Sequence, residues 1–140
     1  MIFALGLMIA IIATTNLSTS ASPMDPYQAP VMLRTTLYTD SGITATGAHT
    51  RYGVIAGCPD WYGSAAALYD VNEDGSIGDF IGYFEVLDTG SGFDTDGDGY
   101  GDSIKTGQSI DVWVPDDAAV REWQQEHGDY TYVYLIRGQG

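Results

Sequence analysis

Short runs in which apolar and β-branched residues alternate with polar ones, each ended by glycine, aspartate or proline, fill the chain from Val31 onward. A period of two is the mark of strands with one buried face. It predicts strands at Met32–Tyr38, Ala65–Val71, Phe80–Leu87, Ser109–Val114 and Tyr130–Ile136. Short strands at this spacing, with 18 glycines to serve the turns, predict a barrel or sandwich. One segment changes period. Ala119, Val120 and Trp123 fall on one helical face, Pro115-Asp116-Asp117 places acids at its start, and Gly128 closes it. Trp123 is expected to pack in the core. The stretch from Asp111 to Ile136 therefore reads strand–helix–strand.

Ahead of the strands the pattern is different. Met1–Ala13 is uncharged and apolar, and a polar stretch ending Thr19-Ser20-Ala21 follows. This predicts a signal peptide over residues 1–21, hence a secreted, extracellular or cell-wall protein with no stable membrane span after cleavage. Ser22–Pro30 holds three prolines and predicts a linker over residues 22–32, leaving residues 33–138 as one folded domain, expected to be monomeric. Cys58 is the sole cysteine, so no internal disulfide forms.

Charge narrows the partners. Five Lys and Arg against 19 Asp and Glu give a net charge of −14, which excludes nucleic acid as a partner. Between Asp70 and Asp102 stand ten acids and no basic residue. Such a concentration of like charge repels itself unless cations neutralise it.

The spacing of those acids points to calcium. Asp94, Asp96, Asp98 and Asp102 occupy positions 1, 3, 5 and 9 of a loop with Gly99 at position 6, and Tyr100 would give a backbone carbonyl at position 7. Position 12 is Lys105 instead of the bidentate Glu of an EF-hand, so the loop predicts a structural Ca2+ site of the kind found in extracellular modules. Asp70, Asn72 and Asp74 repeat the opening more weakly over residues 70–79, where an Asp-Gly hairpin turn explains them as well.

Two acids stand outside that spacing. Asp88 ends an apolar run and opens a turn, and Asp111 lies between Ile110 and Val112 inside a strand. Alternation would send Asp111 into a cleft while its neighbours enter the core. Partial burial beside a second carboxylate raises a pKa, as a general acid at neutral pH requires. A turn-capping Asp88 and a surface-facing Asp111 would fit the same pattern.

A resemblance bears on that choice. Thr36-Leu-Tyr38, Thr46-Gly47, Gly53-Val-Ile-Ala56, Asp88-Thr89-Gly90 and Ile104-Lys105-Thr-Gly107-Gln-Ser-Ile110-Asp111, in this order, resemble the 3D (three-aspartate) domain family. That family is similar to MltA-like lytic transglycosylases and RlpA-like cell-wall proteins. The resemblance implies a mainly β fold, a six-stranded double-psi β-barrel with one helix in its C-terminal half and the acidic loops inserted. It also implies peptidoglycan glycan strands as partner and glycosidic-bond cleavage, lytic or hydrolytic, with no catalytic cofactor. Asp111 would be acid and base, and Asp88 its support. Thr36, Tyr38, Asp60, Thr89 and Lys105 would contact substrate. One departure stands out: Cys58 falls where the family has its first aspartate, so either Asp60 replaces that acid or it is lost.

Two other classes compete. A non-catalytic, calcium-stabilised glycan-binding module suits the missing aspartate. Val86-Leu87-Asp88-Thr89-Gly90-Ser91 also matches the aspartic-protease turn, but that chemistry needs two such carboxylates and so a dimer. His49 and His127, the two histidines, give nucleophile schemes little support.

Overall fold

The computed structural model describes residues 24–138; the expected signal peptide lies outside the described residues. Six strands form: β1 (Val31–Tyr38), β2 (Val54–Ala56), β3 (Ala65–Val71), β4 (Ile77–Asp88), β5 (Ser109–Trp113) and β6 (Tyr130–Ile136). A single-turn 3-10 segment, Pro59–Trp61, follows β2, and the helix α1 (Asp117–His127) joins β5 to β6. The strands are hydrogen-bonded in the order β1-β5-β2-β4-β3-β6, and β6 pairs with β1, so the sheet closes into a ring. The pairs β1/β5 and β2/β4 are parallel, and the four other pairs are antiparallel.

Alternation fills the ring. Ile55, Leu68, Val86, Ile110, Val112, Val133 and Leu135 point inward and are buried, while Asp111 and the tyrosines of β6 face out. The polar pair Thr35 and Thr131, buried among them, is satisfied by a 2.7 Å bond between their hydroxyls, as burial demands. Trp61 packs beside Gly107, whose φ of +80° and close approach to the indole suit glycine alone: a Cβ there would stand 2.9 Å from Trp61 Cζ2.

Helix α1 ends where the sequence places its caps. Asp116 accepts a bond from Ala119 N at 2.9 Å, and Gly128 takes φ +70°. Trp123 is buried edge-on to Phe84, as expected of a core residue. His127 Nδ1 lies 2.7 Å from Asp70 Oδ1 and ties the helix end to β3. The segment read as a linker is laid against the ring: Leu135 N donates to Pro26 O at 2.9 Å, and the Tyr27 and Ser64 hydroxyls bond at 2.5 Å.

Candidate functional site

Register builds the site. Thr36 on β1 stands opposite Asp111 on β5, Asp111 opposite Ala56 on β2, and Ala56 opposite Asp88 on β4. Directly opposed residues face the same side of a sheet. A single row, Thr36–Asp111–Ala56–Asp88, thus crosses four adjacent strands on the outside of the ring. A bulge between Ile55 and Ala56 brings Asp88 into the row, since one extra residue reverses the facing of all that follow. Ala56 leaves a gap between the two acids where a larger side chain would fill it.

The gap is the floor of a cleft of about 340 Å³, lined among others by Tyr38, Asp40, Thr50, Asp88, Thr89 and Asp111. Its roof is the β1–β2 connection, a small folded-back loop held by Thr44 N to Ala48 O and Thr50 N to Gly42 O. Thr46 pins this loop to Leu87 O through both its N–H and its hydroxyl, and Ala45 N donates to Asp88 Oδ1 at 3.0 Å.

The two acids have different surroundings. Asp88 is an acceptor at both oxygens: Tyr38 OH reaches Oδ2 at 2.9 Å, and Ala45 N and Thr89 N reach Oδ1 at 3.0 Å each. Tyr38 is held protonated, its pKa raised by burial first and then by its bond to Asp88 and the nearby acids. Asp111 receives one side-chain bond, from Thr36 Oγ1 at 3.0 Å. Burial pushes its carboxyl up to about 6; the Thr36 bond works against this, and the charges of Asp88 and Asp40 add to it. The result is one fixed acceptor and one carboxyl able to gain and lose a proton near neutral pH. Thr89 lines the cleft too, its hydroxyl buried behind the wall without a hydrogen-bond partner.

Thr36, Tyr38, Asp88, Thr89 and Asp111 are therefore brought together at one cleft. Asp60 and Lys105 are not among the cleft residues. Asp60 lies on a separate groove with Tyr62 and Arg137, and Lys105 is exposed in the turn before β5. Cys58 packs against the core instead. The third acid of the cleft is Asp40, absent from the sequence-derived set. It follows β1 in Tyr38-Thr39-Asp40-Ser41-Gly42, where Asp-Ser-Gly reads as ordinary turn punctuation; its spacing of two from Tyr38 was the available signal.

In the acidic loop between β4 and β5, oxygens of Asp94, Asp96 and Asp102 lie within 4.8 Å of one another. Asp94 accepts from the N–H groups of Gly97 and Gly99 at 2.8 Å, and its pKa is lowered, most by the Gly99 N–H. Asp96 is lowered by the Asp98 N–H, but desolvation and its neighbours Asp94, Asp98 and Asp102 together raise it. Asp98 is outside the group and accepts from Tyr100 N, whose side chain is exposed. Asp70, Asn72 and Asp74 are spread over separate tasks: Asp70 pairs with His127, Asn72 donates to Ser76 Oγ and Ile77 O, and Asp74 caps Ser76. Asn72 and Asp74 act in the β3–β4 hairpin turn, and Asp70 holds the end of α1.

No family model, curated protein or solved structure matches this chain.

Proposed function

We propose that this protein is a secreted enzyme that cleaves peptidoglycan glycan strands, with Asp111 as its proton-transfer group. What carries the proposal is the pairing of Asp111, raised to about 6, with Asp88, fixed by three donors, across the small Ala56 in one cleft. Two carboxyls in unlike environments are the arrangement by which glycosidases divide acid from anion.

In the lytic reaction, protonated Asp111 gives its proton to the glycosidic oxygen as the bond to the anomeric carbon breaks. Asp88, accepting from Tyr38 and two backbone N–H groups, offsets the positive charge that develops on the sugar. Asp111, now a carboxylate, takes the proton from the sugar's own 6-hydroxyl as that oxygen closes on the anomeric carbon. The product is a 1,6-anhydro sugar, and Asp111 is again protonated. Thr36 orients Asp111 through its hydroxyl.

The order of the ring, with two parallel pairs flanking the antiparallel β2/β5 pair, is compatible with the double-psi β-barrel of 3D-type domains. Calcium belongs to the same proposal, held by Asp94, Asp96 and Asp102 and stiffening the insert that leads into β5. A non-catalytic glycan-binding module is the second reading, favoured because neither Cys58 nor Asp60 reaches the cleft.

Digestion of purified peptidoglycan by the protein and by Asp111→Asn, with calcium present and products read by mass spectrometry, tests this. Anhydro-muropeptides from the parent and none from the variant are expected. Reducing-end products lost in the variant would make the enzyme a hydrolase. No product from folded, calcium-loaded parent would leave the binding module.

A further inference from the structure

On the far side of the ring from the cleft the outward positions are aromatic. Cross-strand pairing sets Met32 beside Tyr132, Tyr132 beside Tyr69 and Tyr69 beside Phe80; the next row is Tyr134, Ala67 and Tyr83. The rings touch: Tyr69 and Phe80 centroids are 5.4 Å apart, and Phe80 and Tyr83 are 5.0 Å apart. Yet the outer rings stand in solvent, Phe80 at 49% and Tyr83 at 68% exposure. A contiguous aromatic patch left exposed marks a contact surface.

Charge decides among occupants. Neither row holds a charged residue. The row beyond them, Ile136–Ala65–Glu85, ends in a carboxylate paired with Arg51 at 2.6 Å. The molecule as a whole carries −14, so an anionic membrane, a nucleic acid or a second copy of the chain is repelled on approach. An uncharged polymer is not. The weakly positive C–H faces of pyranose rings suit the negative faces of aromatic side chains, and Phe80 and Tyr83 hold such faces open to solvent.

We infer that the outer face of β6, β3 and β4 is a stacking platform for an uncharged polysaccharide strand, separate from the acidic cleft. It holds the protein on a solid glycan while the cleft stays free. This assignment stands apart from cleavage, since a binding module would use the platform equally.

Sedimentation of the protein with chitin beads and with crystalline cellulose, against Phe80→Ala/Tyr83→Ala and Asp111→Asn, tests it. Retention of the parent and of Asp111→Asn on at least one polysaccharide is expected, with retention of the double variant at least tenfold weaker. Circular dichroism and Tm identify a misfolded variant, and the single Tyr83→Ala, at the most exposed ring, then takes the double variant's place. A parent that neither solid retains, or a variant retained like the parent, overturns the assignment. So does a dimer seen in sedimentation velocity that the double variant loses, because the face would then be a contact between copies. Cleavage of soluble glycan, read separately, is unchanged by the platform variant.

Discussion

Asp111 and Asp88 have the same side chain and unlike surroundings. Asp111 has one donor, Thr36, and is raised to about 6 chiefly by burial, whereas Asp88 has three donors. If protonated Asp111 starts the reaction, kcat/KM falls as pH rises through about 6, since that limb reports the free enzyme. Thr36→Val removes the bond that favours the carboxylate and should move the limb to higher pH. Asp88→Asn removes a like charge and should move it lower, together with a loss of rate. A limb that neither substitution shifts would take Asp111 out of the proton transfer.

The same shift acts on stability, with its sign set by the raised value. An aspartate whose pKa is higher in the fold than in the unfolded chain penalises folding once ionised. Its cost is absent below the unfolded value near 4, grows as pH rises, and is complete above about 6. Asp111→Asn should therefore be more stable than the parent at pH 7, by up to about 2 kcal/mol after allowance for partial exposure, and no more stable at pH 3.5. Urea denaturation at the two pH values measures the difference.

At the scale of elements, what the sequence revealed depended on period. β6 and α1 were legible because each shows a clear repeat, and Asp111 was legible as an acid between Ile110 and Val112. β2 was not, since Val54, Ile55 and Ala56 are all buried and three residues carry no alternation. With it went the reason the acids meet, because β2 supplies Ala56, the position opposite both acids, and the extra residue Leu87 on β4 turns Asp88 outward beside it. Asp40 escaped for a related cause: it lies in a loop whose turn residues show no trace of the β4 backbone they are folded against. In the turn into β5, Gly107 lies directly against Trp61. Gly107→Ala combines a left-handed φ with a clash against a rigid ring and should cost about 2–3 kcal/mol, lowering Tm by on the order of 10 °C. An unchanged Tm in a thermal melt would show that the indole can move aside.

For the whole molecule, charge is the dominant condition. Asp94, Asp96 and Asp102 concentrate in one exposed loop of a chain at −14. If calcium binds there in the fold alone, calcium at ten times its Kd adds about 1.4 kcal/mol. Tm should rise with CaCl2 beyond the rise given by NaCl of equal ionic strength, and Asp94→Asn/Asp102→Asn should abolish the excess. An equal rise in parent and variant would reduce the effect to screening.

Ring closure also fixes the order in which the molecule can be completed. The last strand, β6, fits between the first and the third, pairing Met32 with Tyr132 and Leu68 with Val133. Until β6 has been synthesised, β1 and β3 each present an open edge with unpaired backbone groups, and such distant pairings fold slowly. The ring therefore cannot close before β6 has been synthesised. Open edges on unfinished chains invite pairing between neighbours. The surplus of aspartates, most of it already synthesised by Asp102, holds those neighbours apart until β6 arrives.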